Sequence, residues 1–326
     1  MFEYPINLEW TIAEGRLKAL RDSSKNERLV SDKFTAIHSS NVQYSLRIYP
    51  NGDEDKARGK TWIFFNLELG NEKTIEAEYQ FSIKFANWSF KTNDTFKEST
   101  GYGILCCTVD ELFDSDMKFI ANGKLTLKVE GILKIEKAES TCTRKILQPK
   151  RQKSQSLRDL WNTDFEDFVF VVEEKKIKVH KCVLAVQSPV FATMFKSAMR
   201  ETVENEVVIS DFTFKIVEKA IKLCYKQLHV SDVTYDESIL LLKFADKYDI
   251  ASNLEKYLGD QITVENVCEI SKCAGETNAL KLQNKCMDFL VLLLSKKEVV
   301  PNMELLDKDF LIGAITNSSC RKCQTL

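Results

Sequence analysis

Two hydrophobic periods divide this chain. From Leu8 to about Ile135 apolar residues alternate with polar ones, the period of a half-buried strand. Val42, Tyr44, Leu46 and Ile48 share one face, and the turn signal Pro50-Asn51-Gly52-Asp53 follows. Ile63, Phe65, Leu67 and Leu69 form the buried face of the next strand, leaving Trp62, Phe64, Asn66 and Glu68 on the other. Tyr79, Phe81, Ile83 and Phe85 repeat the pattern, as do Leu125, Leu127 and Val129 after Asn122-Gly123. Short strands punctuated by turns predict an antiparallel sandwich.

Between Glu139 and Ser156 the pattern breaks. Serine, threonine, glutamine and basic residues replace large apolar ones, so too little surface can be buried to offset ordering entropy. This stretch is expected to be a linker, with Lys150-Arg151-Gln152-Lys153 as solvated charge. Beyond it, Phe168-Val169-Phe170-Val171-Val172 and Ile177-Lys178-Val179 flank a charged turn, and the spacing then becomes helical. Ile216, Val217, Ala220, Ile221, Cys224 and Tyr225 make one stripe; Leu241, Phe244, Ala245 and Tyr248 make another. Val267, Ile270 and Ala274, then Leu282, Cys286, Phe289, Leu290 and Leu293, continue until Pro301. The expected second half is an α/β unit running into a small helical tail.

Composition narrows the function more than the fold. The 326 residues suit two domains, and 46 basic against 48 acidic residues leave no whole-chain footprint for nucleic acid. The first residues lack the basic and apolar regions of a signal peptide, and the longest apolar run, Phe289 to Leu294, is too short to span a bilayer. The 10 cysteines form no framework, so reduced thiols in the cytoplasm or nucleus, with no membrane association, are expected. The Asn-x-Ser/Thr triplets at Asn87, Asn93 and Asn317 then carry no meaning.

Catalytic chemistry finds little to work with. The histidines are His38, His180 and His229, and none belongs to a metalloprotease-like pair. Gly59-Lys60-Thr61 resembles the end of a phosphate loop, but Glu54 stands where its first glycine is needed and a strand follows. Cys320-Arg321-Lys322-Cys323 is a single Cys-x-x-Cys, expected in a frayed tail rather than in a zinc knuckle. His180 opens a helix, where capping is the expected role. No cofactor, no metal and no enzymatic activity are expected.

The second half resembles a BTB (POZ) domain. The similarity runs through Asp167-Phe168-Val169-Phe170, Val179-His180-Lys181-Cys182-Val183-Leu184, Ser188-Pro189-Val190-Phe191, Val208-Ile209-Ser210-Asp211 and Leu241 to Tyr248. The first half resembles a MATH domain, a TRAF-like eight-stranded sandwich, through Leu8-Glu9-Trp10-Thr11-Ile12, Tyr44 to Pro50, Phe81-Ser82-Ile83 and Gly123 to Leu127. MATH followed by BTB is the architecture of the speckle-type POZ protein family of cullin-3 substrate adaptors. The resemblance implies a MATH domain at 1–138, a linker at 139–156, a BTB/POZ domain at 157–260 and a helical extension at 261–326.

It also implies roles for residues. Met199 and Glu201, an apolar-x-Glu element, would dock on cullin-3, the methionine filling a pocket and the carboxylate making a charge-assisted bond. Leu157, Leu160 and Trp161 would be the apolar face of a swapped helix at a homodimer interface. Trp62, Tyr79, Tyr102 and Ile104 would line a groove for protein substrates, although Tyr79 is in phase with the buried Phe81 and Ile83. The charged residues that flank the family's groove aromatics are replaced by Thr100, Gly101 and Leu105, and Asp94 stands where the family has a tyrosine. A more apolar recognition sequence is therefore expected. The rival expectation is a dimeric scaffold or transcriptional regulator that binds no cullin; the absence of zinc fingers or a basic recognition helix counts against direct nucleic-acid binding.

Overall fold

In a computed structural model, which describes residues 2–23, 25–135, 160–161, 163–197, 200–226, 233–250 and 254–326, the alternating half of the sequence becomes two facing sheets. The chain divides into two units, one of residues 1–141, 287–300 and 307–326, the other of residues 142–286 and 301–306.

In the first unit, β1 (Phe2–Ala13) leads into the short helix α1 (Glu14–Lys18). β2 (Leu29–Val30), β3 (Phe34–Ile37), β4 (Val42–Tyr49), β5 (Lys60–Glu68) and β6 (Ile75–Ile83) follow. Next come β7 (Trp88–Phe96), β8 (Thr100–Thr108), α2 (Val109–Phe113) and β9 (Lys124–Ile135). One sheet has the order β2-β4-β5-β8, with β3 also paired to β4. The other contains β1-β9-β6-β7, all antiparallel neighbours. Leu8, Trp10 and Ile12, Ile63, Phe65 and Leu67, and Tyr79, Phe81 and Ile83 all face the shared core. Phe85 departs from the expected alternation: β6 stops at Ile83, and the turn through Asn87 at φ +49° leaves Phe85 in solvent.

The second unit opens on β10 (Phe168–Val172) and β11 (Lys175–Val179), an antiparallel hairpin whose two-residue turn, Glu173-Glu174, holds both residues at positive φ. That turn twists with its strands but is sterically costly for glutamate. Glu173 has a compensating task, since its Oε2 accepts the Phe214 N–H (3.2 Å) at the start of a later helix. α3 (Lys181–Gln187), α4 (Pro189–Lys196) and α5 (Arg200–Glu204) precede β12 (Glu206–Val208), which pairs parallel with β10. α6 (Phe214–Cys224), α7 (Tyr235–Lys247), α8 (Leu254–Asp260) and α9 (Val267–Glu276) complete it, burying the stripes read from the sequence. His180 caps α3 by position, and its backbone N–H and ring Nδ1 both meet the Tyr225 hydroxyl, at 2.7 and 2.9 Å.

α10 (Leu280–Ser295) begins among residues of the second unit and ends among those of the first. There Asp288 accepts the backbone N–H groups of His38 (2.6 Å) and Ser39 (2.9 Å). α11 (Lys308–Ser318) brings Asn317 to the His38 ring (Nδ2 to Nε2, 3.0 Å), and then β13 (Arg321–Thr325) adds to the β1 edge in parallel. The expected frayed tail is thus a sheet strand, with Cys323 buried in it. A frayed conformation would leave the outer backbone groups of β1 unpaired. Among the described residues, no helix is long and apolar enough to cross a membrane.

Glu237 tests the electrostatics of the helical unit. It lies at the third position of α7 in a capping box with Thr234, and Lys215 (2.7 Å) and Lys219 (2.5 Å) flank its carboxylate. Bonding to Lys215, then to Lys219, holds its pKa at about 2, below the ordinary 4.5. A folded value below the unfolded one adds stability in full above pH ~4.5 that is lost as pH falls toward ~2. Glu237→Gln should therefore lower the urea midpoint at pH 7, and the gap from the parent should close between those two values. A pH-independent gap would contradict the assignment.

Candidate functional site

β7 ends one sheet and β8 ends the other, so residues facing inward at this margin have a neighbouring strand on one side only. The register identifies them. Thr92 lies opposite Tyr79, Asp94 opposite Ala77 and Phe96 opposite Ile75; across the sandwich, Tyr102 lies opposite Phe65 and Ile104 opposite Ile63. Opposed residues in a ladder share a face. Thr92, Asp94 and Phe96 therefore meet Tyr102 and Ile104 along a seam between the sheets, and Phe90 continues the row.

The seam is aromatic and graded in depth. Tyr102 is 40% exposed and Phe90 43%, while Phe96 is wholly buried. Tyr102 packs edge-on against Phe96 (4.8 Å), as does Phe96 against Phe65 (6.0 Å), and the Phe65 ring lies tilted against Tyr79 (4.5 Å). Gly131 makes the last of these possible: on β9 opposite Tyr79, any β-carbon there would stand 2.6 Å from the Tyr79 Cβ. The Tyr79 hydroxyl donates to Asp94 Oδ2 (2.6 Å). Burial, then that bond and the Asp94 charge, push the Tyr79 phenol well above its usual range, so it remains a donor. One carboxylate oxygen is thereby oriented from below, and the other is placed to accept a donor from a bound chain. Exposed ring faces, an oriented carboxylate and two strand margins suit an extended peptide.

The structure sorts the expected groove residues. Tyr102 and Ile104 lie in the seam. Tyr79 does not line its surface: it is 2% exposed and forms the floor, because its strand phase matches Phe81. Trp62 is on the other side of the sheet, opposite Leu105 and 6.5 Å from Phe64, because the seam opens on the inward face and Trp62 points outward. Phe90 and Asp94 join the seam through the β6–β7 register, which alternation within either strand does not reveal.

In the second unit Glu201 is half-buried in the first turn of α5, with Val203 on the same helix 75% exposed. Met199 and Leu157 lie outside the described residues. Leu160 is exposed, and Trp161 packs edge-on against Tyr225 of its own chain (5.1 Å) under the Lys222 ammonium (5.7 Å). Burial pushes the Cys224 thiol up to about 12 and the Cys273 thiol to about 11, so these two stay protonated and inert. Among the described residues no group of three or more His, Cys, Asp or Glu side chains could hold a metal ion.

Residues 156–262 match the BTB/POZ domain family. Over 288 residues the chain is 23% identical to TD and POZ domain-containing protein 3 of Mus musculus, covering 81% of this chain and 76% of that one. A solved structure of Notothenia coriiceps TRAF5 is 17% identical, covering 42% of this chain and 76% of that one, with a TM-score of 0.27. The assignment of the first unit as a sandwich rests on its own strand order.

The Tyr79–Asp94 bond makes a direct prediction. Tyr79→Phe strands a half-buried carboxylate and should cost about 1 kcal/mol in urea denaturation. Tyr102→Phe should cost less, because that hydroxyl makes a longer bond (3.3 Å, to the Thr95 carbonyl) at an exposed position. Equal losses would show that Asp94 does not depend on Tyr79.

Proposed function

With a BTB/POZ domain behind a β-sandwich as the premise, we propose that this chain is a non-catalytic, homodimeric adaptor that selects substrates for a cullin-3 ubiquitin ligase in the cytoplasm or nucleus. BTB/POZ domains mediate protein–protein contact and dimerisation, and two seams on one dimer would gain avidity for substrates with repeated motifs. The observation that carries the reading is the half-exposed aromatic seam at the β7–β8 margin, on a chain whose other unit is a protein-docking module. The seam's chemistry favours an extended substrate segment with apolar residues against Tyr102 and Ile104 and a donor facing Asp94. Exposed Val203 on α5, the helix that carries Glu201, supports a partner surface on that helix.

Paired variants separate the two ends. Met199→Asp with Glu201→Lys should reduce co-precipitated cullin-3 by about tenfold or more, as loss of an interface anchor does. Tyr102→Ala with Ile104→Asp should retain cullin-3 while losing substrate proteins. Unchanged cullin-3 recovery by the first variant, or none by the parent, would leave a BTB scaffold in place of a ligase adaptor.

A further inference from the structure

The opposite margin of the same sandwich is already occupied. β13 pairs with β1 in parallel, from Leu8 opposite Arg321 to Ile12 opposite Thr325. Its side chains meet specific partners. The Arg321 guanidinium lies 5.7 Å over the Phe34 ring, and the Lys322 ammonium is 3.6 Å from Glu9. Cys323 is 6% exposed opposite Trp10, and Arg16 donates to the Leu326 carbonyl (2.9 Å).

Trp10 shows that this margin requires an occupant. Its ring is wholly buried in the sandwich core, and its indole Nε1–H donates to Thr325 Oγ1 at 2.9 Å. The acceptor for a core side chain therefore comes from a strand 315 residues away in sequence. Without it, a buried donor loses its partner, a penalty larger than the net gain from an ordinary hydrogen bond. The outer backbone groups of β1 would also be left open along the paired stretch.

We propose that the β1 edge is a strand-docking site in its own right, distinct from the β7–β8 seam, with residues 319–326 as its tethered ligand. The ligand class is a parallel extended peptide: a cation over Phe34, a second cation toward Glu9, a small apolar residue against Trp10, and a hydroxyl two positions later. Backbone pairing supplies affinity, and the side chains at 321, 323 and 325 supply selectivity because alternate residues face the same side. Tethering keeps the local concentration high, so a free peptide competes poorly while the tether is bound. The inference is independent of cullin binding.

Cys323→Asp in the full chain tests it. A carboxylate at this buried position should expel the strand, while β1 stays paired to β9 along its length. A fluorescein-labelled peptide of residues 319–326, under reducing conditions, should bind the variant saturably and the parent at least about tenfold more weakly. Those amides of Leu8 to Ile12 that point toward β13, not the alternate ones bonded to β9, should exchange faster in the variant and recover their protection on adding peptide. The peptide carrying Cys323→Asp should not bind. Absence of peptide binding to the variant, equal binding to both chains, or unchanged β1 exchange would each overturn the proposal. Thr325→Val in the parent gives a check that needs no expulsion: the Trp10 indole N–H resonance should shift, and an unmoved resonance would count against the site.

Discussion

Phe65 is the contact on which the sandwich and its seam depend. Its ring reaches Tyr44 on its own sheet at 6.0 Å, and Tyr79 and Phe96 on the facing sheet at 4.5 and 6.0 Å. Facing sheets lie about 10 Å apart, a gap that side chains from both must fill. Here one ring closes that gap close to the margin where both sheets end. Tyr102 rests on Phe96, and Tyr79 is held where its hydroxyl can orient Asp94. The half-exposed seam is therefore the outer layer of the core. Substitutions in the seam will also be felt in packing, and the exposed Tyr102 and Phe90 are the positions with the most freedom.

The buried faces were legible from alternation because the strand period is local. Val42 to Ile48, Ile63 to Leu67, Tyr79 to Ile83 and Leu125 to Val129 all face inward as their spacing indicates. Alternation assigns faces, however, and not margins. Trp62 and Tyr102 are both aromatic and both incompletely buried, yet they lie on opposite faces of one sheet, and only strand order tells which of them stands at the seam between the sheets. Tyr79 shows the complementary case, since its phase with Phe81 pointed to the core and its burial follows that phase.

The helical unit was legible for a related reason. Its pieces are contiguous: a hairpin with two residues in its turn, helices with apolar stripes, and caps such as Thr234 with Glu237 only three residues apart. β13 was illegible because Arg321-Lys322-Cys323-Gln324-Thr325 has no apolar alternation. It becomes a strand only through β1, and its one buried apolar residue belongs to a Cys-x-x-Cys that suggested metal or disorder. Asp288 has the same character, a carboxylate in an apolar helix whose purpose appears only when the backbone of His38 and Ser39 meets it.

The long separation of β1 and β13 also bears on how the protein is made. A ribosome delivers roughly 5 to 20 residues each second, so β1 is synthesised well over ten seconds before the strand that will lie beside it. β9 emerges early enough to pair with one side of β1. The other side must stay soluble and unpaired while the entire BTB/POZ domain is translated. During that interval the nascent chain presents an open edge carrying Leu8, Trp10 and Ile12, the kind of surface that chaperones hold and that neighbouring chains on a polysome can capture.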